Sequence, residues 1–307
     1  MRPTGDTPVI QILIDTLIRT SDLALIALGL SLSYGVSRFP NVAHVEMAPL
    51  GAAVALAVAA LFPAGGLVGA AIAGALAAGL TAMLLHRFAF DRLAAVGPAS
   101  ALIGSLAIAM MLRAGLQAVF GTRPQQFDTR LTPPHDLWGA ILSDLQIAAI
   151  AITAVCLIGF FAMLRLTPLG RSIRAIAANP ALATASGIDA RRVTLVTVFL
   201  GGMLAGIGGI LLALVTQLDI GMGQMLLLPV FAAAIVGGLG SLPGAVMGAF
   251  AIALAETLVM RIDFGLLAGE GPRYLPLGYL TGIGFALIVV TLVYRPEGLL
   301  SRGGRRA

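Results

Sequence analysis

The sequence predicts an all-α polytopic membrane protein, and three observations lead to this fold class. The chain of 307 residues is 59% hydrophobic and only 11% charged, and its mean hydropathy is +1.00. It contains several apolar runs of about 20 residues, the length that an α-helix needs to cross a bilayer. The alternating ten-residue strands of a membrane β-barrel are absent from the sequence. We therefore expect a single transmembrane domain over residues 1–307.

The apolar runs predict eight or nine transmembrane helices. In chain order they cover residues 9–35, 47–62, 64–86, 99–120, 146–165, 191–216, 226–240, 243–262 and 275–294. The alternative to nine separate spans joins the first two through a re-entrant piece. Arginines concentrate in an expected loop at 86–98, in the segment 165–192 and in the tail 295–306. This bias predicts that all three lie on the cytoplasmic side, together with the C-terminus.

Two parts of the chain share a similar layout. The Gly/Pro hairpins at 61–66 and 240–245 each join two apolar runs, and each follows an irregular polar segment, 37–46 or 216–225. The charge bias places the two hairpins on opposite sides of the membrane, so we interpret spans 1–4 and 6–9 as inverted repeats. Interrupted helices at matching positions of two repeats indicate a transport pathway. The alternative is that such hairpins recur in membrane proteins without any symmetry.

Polar side chains in the two irregular segments are candidates for lining that pathway. They are Asn41, His44, Glu46 and Asp219. Ionisable groups at membrane depth are generally functional, but these could equally be structural polar contacts at a helix break. No cysteine or further histidine lies near His44 and Glu46, so a metal site is not expected there. Glu256, in the eighth span, is expected to reach the membrane surface or to hydrogen-bond near Thr257.

Glycines spaced four residues apart predict close packing of helices. The pairs are Gly65/Gly69, Gly202/Gly206, Gly244/Gly248 and Gly278/Gly282. We interpret these pairs as part of the scaffold rather than as a binding site.

A basic segment interrupts the apolar pattern at residues 165–192, which read RLTPLGRSIRAIAANPALATASGIDARR. Thr167 is suited to the N-cap of a helix and Pro168 to its first position. Asn179-Pro180 should end this helix and a second short one should follow, with Gly187 ending it. A polar insertion of this length between two spans suggests that a soluble partner docks there.

The first of these two short helices is predicted to be amphipathic. Leu169, Ile173 and Ile176 form one apolar stripe, while Arg171 and Arg174 face away from it. A short helix of this shape suits a groove in a partner protein, so we expect the stripe to contact that groove. The alternative is an interfacial helix that lies on the lipid headgroups.

The basic composition excludes several functions. All 19 basic residues are arginine, and the chain contains no lysine. A Walker A phosphate loop requires its lysine, and so does Schiff-base chemistry, so neither is expected here. The sequence also shows no nucleophile-base pair and no metal cluster, so we expect a transport subunit and not an enzyme. The arginines flank apolar runs, which is typical of topology signals and not of a nucleic-acid-binding surface. The single cysteine, Cys156, lies in an apolar run and cannot support a disulfide framework.

Several motifs carry a resemblance to a known family. The segment NVAHVE at 41–46 is similar to a family signature N-F-A-H-G-E, with Val42 and Val45 as departures, and the runs at 237–257 and 294–300 are similar to later family segments. The family's loop motif matches Gly170, Arg171, Arg174, Ala175, Asn179, Pro180, Ala183, Gly187 and Ile188. The sequence thus resembles permease subunits of the LivH type from branched-chain amino acid ATP-binding-cassette (ABC) importers.

The resemblance implies a fold like that of type II ABC importers and a permease subunit of an ATP-driven importer that works by alternating access. The implied partners are a second similar permease subunit, two cytoplasmic ABC ATPase subunits, a periplasmic substrate-binding protein and the lipid bilayer of the bacterial inner membrane, without nucleic acid. This chain would bind no cofactor, since ATP is held by the partner subunits. The implied ATPase-coupling residues are Leu169, Gly170, Arg171, Ile173, Arg174, Ala175, Ile176, Asn179, Pro180, Ala183 and Gly187.

Two alternatives to this function remain at the level of the sequence. One is an ion-coupled secondary transporter with inverted repeats. The other is the same ABC permease architecture carrying urea or short amides instead of leucine, isoleucine or valine.

Overall fold

A computed structural model describes residues 9–62, 66–128, 133–137, 140–262, 274, 279–295 and 298–300. Each of the nine predicted spans corresponds to a helix in these ranges, and the predicted all-α class is confirmed. The helices are α1 (Val9–Ser37), α2 (Met47–Leu61), α3 (Gly66–Leu85), α4 (Asp91–Val96), α5 (Pro98–Phe120), α6 (Asp144–Leu166), α7 (Pro168–Ala178), α8 (Pro180–Ala185), α9 (Ala190–Val215), α10 (Met222–Gly237), α11 (Leu242–Val259) and α12 (Leu280–Tyr294).

The lengths and compositions of these helices are those of a multi-pass membrane protein. Among the described residues, six helical segments are long and apolar enough to cross a membrane: Val42–Leu61, Gly66–Val96, Pro98–Phe120, Asp144–Leu166, Ala190–Val215 and Leu242–Val259. Two further apolar helices are shorter, Met222–Gly237 and Gly282–Tyr294. The remaining long helix, α1, has 29 residues, of which those from Ser21 to Ser33 are all buried.

Residues 86–98, which were expected to form a loop, continue the preceding helix instead. A π-helical turn, His86–Phe90, joins α3 to α4, and Gly97 (φ +151°) breaks the helix immediately before α5. The π turn directs Phe90 inward against Phe39, with 5.6 Å between the ring centroids. The basic side chains Arg87 and Arg92 are exposed on this helix. The charge pattern therefore marked an exposed helical surface, and the prediction of a loop was wrong.

A small hairpin is a second departure from the expected all-helical chain. Strands β1 (His135–Leu137) and β2 (Ala140–Leu142) pair antiparallel, with Asp136 opposite Ile141. They immediately precede Ser143, whose side chain accepts a hydrogen bond from the Gln146 amide and forms a capping box that begins α6. No alternating apolar pattern is long enough here to predict a strand.

The core of the bundle is the antiparallel crossing of α1 and α9. Gly29 lies against Gly201, since a Cβ added at Gly29 would be 2.5 Å from the Gly201 carbonyl oxygen. Farther along, Ile26 contacts Gly208, so the sequence numbers run in opposite directions along the contact. The missing side chains allow the two backbones to approach closely.

The predicted glycine pairs are confirmed in two of the four cases. Gly202 and Gly206 contact α3, and Gly244 and Gly248 contact α10. By contrast, a Cβ added at Gly69 or Gly282 would meet nothing within 4 Å. Gly65 and Gly278 lie outside the described residues.

Helix packing is reciprocal between the two predicted repeats. Helix α1 packs on α11 as α9 packs on α3, and the hairpin of α2 and α3 corresponds to that of α10 and α11. In addition, α2 contacts α9 and α10 contacts α1. Exchanging α1 with α9, α2 with α10 and α3 with α11 therefore preserves the main contacts, and the antiparallel α1–α9 crossing is the arrangement that inverted repeats require.

The bundle has two distinct ends. At one, which we call the loop end, lie α7, α8 and residues 298–300; there the Ser241 hydroxyl donates to the Leu300 carbonyl (3.1 Å). At the other, the hairpin end, lie β1 and β2, and the Gln125 amide donates to the Leu218 carbonyl at 2.9 Å. A cleft lined by His86, Asp91, Ile176, Pro180 and Arg191 joins α4 to the loop end. The described residues of the three segments predicted to share one side of the membrane thus lie at one end of the bundle.

Candidate transport pathway and coupling segment

The first helix break follows α1. Arg38 has a left-handed backbone (φ +59°), and a 3₁₀ helix over Val42–Glu46 leads into α2. The Asn41 side chain accepts a hydrogen bond from the Ala43 amide at 3.1 Å, so Asn41 is the N-cap of this short helix. The Val42 amide donates a hydrogen bond to the Ser105 hydroxyl of α5 at 3.0 Å. These contacts fix the broken segment against α5.

At the end of this break lies a buried ionic cluster. Glu46 is completely buried, and its Oε1 accepts a hydrogen bond from the Arg113 guanidinium of α5. The same guanidinium also donates to the Gln224 side-chain oxygen. Arg113 therefore connects the first break to the beginning of α10, and we call Glu46, Arg113 and Gln224 the ionic cluster.

The second helix break, residues 216–221, lies between α9 and α10. The Asp219 carboxylate accepts a hydrogen bond from the Gly221 amide at 2.7 Å and so closes the turn before α10. The first turn of α10 then brings Gly223 and Gln224 to the ionic cluster, because a Cβ added at Gly223 would lie 2.5 Å from Glu46 Oε2. The two breaks therefore meet at Arg113.

The structure gives the four predicted pathway residues different positions. Asn41 and Asp219 bind backbone amides, and His44 is 2% exposed, with its Nε2 directed at Gly29 of α1. Only Glu46 belongs to the ionic cluster. Sequence reasoning missed Arg113 and Gln224, although a lone arginine in the fourth apolar span was a usable signal.

A second group of charges joins α1 to α11 at the hairpin end. Arg19 donates to Glu256 at 2.7 Å, and Arg261 donates to Asp15 at 2.5 Å. Glu256 is 2% exposed, so the expected route to the membrane surface is wrong, and Arg19 is its partner. Unlike the ionic cluster, this group connects two continuous helices.

The basic segment folds locally as predicted. The Thr167 side chain accepts a hydrogen bond from the Gly170 amide at 3.2 Å and caps α7. Asn179 ends α7, and its side chain accepts from the Leu182 amide at 3.1 Å to begin α8. Gly187 follows α8 with φ +83°, the left-handed conformation that favours glycine. These helix boundaries are confirmed.

The apolar stripe of α7 faces the bundle and not a partner. Ile173 is 3% and Ile176 is 2% exposed, and Ile173 packs in a cluster with Phe160 and Leu164 of α6. Gly170 is so close to the Leu164 backbone that no side chain would fit there. The prediction that this stripe docks in a partner groove is therefore wrong. Periodicity identifies the apolar face of a helix but not the surface that covers it.

The surface that α7 and α8 leave exposed is basic and mostly small. Within this surface we define the outer face as Arg171, Arg174, Asn179, Pro180, Leu182, Thr184 and Gly187, all of which are exposed. Of the other predicted coupling residues, Leu169 and Ala175 are half-buried and Ala183 is buried. Leu182 is 66% exposed and is the largest apolar side chain of α8. Any partner of this segment would meet the outer face.

One side chain joins α7 to the first break. The Arg38 guanidinium donates a hydrogen bond to the Ala177 carbonyl in the last turn of α7. A cation is favoured at this end of a helix, where carbonyls lack partners and the helix dipole is negative. The next residue, Phe39, is 1% exposed and packs against Phe90. The first break therefore contacts α7 through Arg38 and the π-helical turn through Phe39.

Comparison with known proteins places the chain. The family described as "Branched-chain amino acid transport system / permease component" matches residues 12–264. The chain belongs to this family. The resemblance noted in the sequence is therefore confirmed, and the protein is a multi-pass transport permease.

Curated permeases align with almost the whole chain. It is 30% identical over 299 residues to the "Probable branched-chain amino acid transport permease protein LivH" of Methanocaldococcus jannaschii, covering 94% of this chain and 91% of that protein. It is 27% identical over 295 residues to the high-affinity permease protein LivH of Escherichia coli (strain K12), covering 92% of each. Against the permease protein BraD of Pseudomonas aeruginosa, the identity is 25% over 307 residues, covering 95% of this chain and 96% of that protein.

Proposed function

We propose that this permease is the transmembrane subunit of an ATP-driven importer for branched-chain or related amino acids. It would pair with a second, similar permease subunit in the bacterial inner membrane, with its C-terminus in the cytoplasm. Two ABC ATPase subunits would bind and hydrolyse ATP, and a periplasmic protein would deliver the substrate. This chain would hold no cofactor and no ATPase site. The names of the curated relatives support the substrate class.

The observation that carries this proposal is that α7 is packed against the bundle on one side and exposed, with α8, on the other. Ile173 and Ile176 fix α7 to the bundle, while the outer face stays exposed. A helix fixed in this way moves as a unit with the helices beneath it, because packed interiors are stiff. A partner that binds the outer face can therefore displace part of the bundle. An ATPase subunit must move the transmembrane helices in this way to drive transport.

A continuous set of contacts leads from α7 to the ionic cluster. Arg38 links the end of α7 to the first break, and that break continues through the 3₁₀ helix to Glu46. Movement of α7 would therefore shift the segment on which Glu46 lies. In alternating access, such a shift opens the pathway to one side of the membrane while closing it to the other.

The proposal is tested with the permease complex reconstituted with its ATPases and binding protein. Leu182→Ala and Arg171→Glu change the outer face, and Ile158→Ala, at an exposed position (70%) in the middle of α6, is the matched control. We expect both outer-face variants to lose ATPase subunits, or to lose the stimulation of ATP hydrolysis by the loaded binding protein. The control should keep both properties.

Other outcomes support the alternatives. If the segment merely lies on lipid headgroups, Leu182→Ala weakens lipid contact while the stimulation of ATP hydrolysis stays intact. Substrate uptake driven by an ion gradient without ATP would indicate the secondary transporter instead.

A further inference from the structure

We propose that Arg113 and Glu46 recognise the two charged groups of an amino acid zwitterion during transport. Arg113 would bind the α-carboxylate, and Glu46 would bind the α-ammonium group. This inference rests on the proposed function and names the substrate class that the pathway accepts.

The first support is the position of the ionic cluster. It lies where the two helix breaks meet, with Glu46 from the first break and Gln224 from the first turn after the second. Glu46 is completely buried, whereas the Arg113 side chain is 21% exposed and Gln224 is exposed. The cluster therefore extends from a buried carboxylate to the surface of the chain, which is the path that a substrate would follow.

The second support is hydrogen-bonding capacity that the described residues leave unused. Glu46 Oε2 and Arg113 Nε are both buried and have no hydrogen-bond partner among them. Each group is paired through its other atoms, and leaving these two atoms without partners is unfavourable. A zwitterion offers a carboxylate that accepts from Arg113 Nε and an ammonium that donates to Glu46 Oε2. A zwitterion thus carries a complementary group for each of the two atoms.

Gly223 covers the carboxylate closely in this structure. A Cβ at this position would lie 2.5 Å from Glu46 Oε2, so any other residue would collide with this oxygen. Because Gly223 lies in the first turn of α10, movement of α10 relative to the first break would uncover Glu46. Relative movement of the two repeats is what alternating access provides.

Charge complementarity distinguishes among the substrates that the fold could carry. A cation and an anion held side by side match the opposite charges of an α-amino acid, and an arginine fork is suited to a carboxylate. Urea and short amides carry neither charge. For these neutral solutes a buried ion pair would add only the unfavourable desolvation of its two groups.

The test compares Arg113→Gln, Glu46→Gln and the double variant in the reconstituted complex with ATPases and binding protein. L-leucine is the probe, and the readouts are subunit assembly, stimulated ATP hydrolysis and leucine uptake per ATP. The double variant removes both charges together and should assemble, since no unpaired charge stays buried. We expect its uptake per ATP to fall roughly tenfold or more, as for the loss of a charge-assisted hydrogen bond.

A structural ion pair predicts the opposite pattern. In that case the single variants fail and the double variant recovers wild-type uptake per ATP, which would overturn the inference. Arg113→Lys supplies a second test, because it keeps the charge next to Glu46 but loses the fork. Reduced leucine uptake with normal assembly is expected for this variant, and wild-type uptake would contradict the proposal.

The pair Arg19 and Glu256 provides the matched control. It too joins a partly exposed arginine to a buried glutamate, whose Oε1 lacks a partner among the described residues, but it lies away from both breaks. Arg19→Gln combined with Glu256→Gln should leave leucine uptake per ATP unchanged. An equal loss in both double variants would show a general effect of removing buried charge and would refute a specific zwitterion site. If the wild-type complex imports leucine without ATP, the proposed function itself is contradicted. This outcome is distinct from the results for the variants, which test the zwitterion site.

Discussion

Truncation of Ile173 distinguishes a stripe that anchors α7 from a stripe that binds a partner. The side chain is 3% exposed and packs among Phe160, Leu164 and residues of α1 and α9. Replacing a buried isoleucine by alanine removes three carbons and leaves a cavity, which costs about 2–5 kcal/mol. We therefore expect Ile173→Ala to destabilise the permease itself.

The assay is thermal unfolding of the purified permease in detergent, without ATPase subunits. Each kcal/mol shifts the unfolding midpoint of a large domain by roughly 2 °C, so Ile173→Ala should lower it by several degrees. Leu182→Ala and Ile158→Ala remove similar side chains at exposed positions (66% and 70%) and should change it little. An unchanged midpoint for Ile173→Ala, together with loss of ATPase binding, would refute the orientation of α7 described above.

Three further predictions concern the same region. Arg38→Gly removes the contact with the Ala177 carbonyl and also the strain of a non-glycine residue at positive φ. Stability should therefore not fall, whereas stimulated ATP hydrolysis should. Arg38→Lys keeps a hydrogen-bond donor, so its effect on ATP hydrolysis should be smaller. Gly187→Val forces a β-branched residue to φ +83° and should lower stability by about 1–2 kcal/mol, measured by the unfolding midpoint. In a background without Cys156, a cysteine replacing Arg174 should react in intact cells only with membrane-permeant reagents, and one replacing Gln126 with impermeant reagents; the reverse labelling would invert the proposed topology.

Local sequence signals predicted the transmembrane helices and the ends of α7 and α8 well. Thr167, Asn179 and Gly187 act through neighbours a few residues away, so their roles are visible in the sequence. Residues 86–98 were wrongly predicted as a loop, because exposed arginines occur on helices as well as in loops. The orientation of α7 was not predictable, since the stripe of Ile173 shows only that some apolar surface covers it.

The pairing of residues in the ionic cluster could not be predicted from sequence patterns, although Arg113 stood out in its apolar span. Glu46 and Arg113 lie 67 positions apart and come together only because the 3₁₀ helix packs on α5. Gln224 joins them from the other repeat, 111 positions beyond Arg113. Such pairings depend on tertiary packing, which local periodicity does not report. The helix breaks that bring these residues together were visible in the sequence as polar interruptions of the apolar runs.

The central claim is that the outer face of α7 and α8 contacts the ATPase subunits. Cross-linking tests it most directly, because the chain has a single cysteine, Cys156, that can be replaced by serine. In this background, Leu182→Cys and Ile173→Cys are compared in the assembled complex with a short thiol-reactive cross-linker. We expect position 182 to cross-link to an ATPase subunit and position 173 not to cross-link. Cross-linking from position 173, with none from position 182, would contradict it.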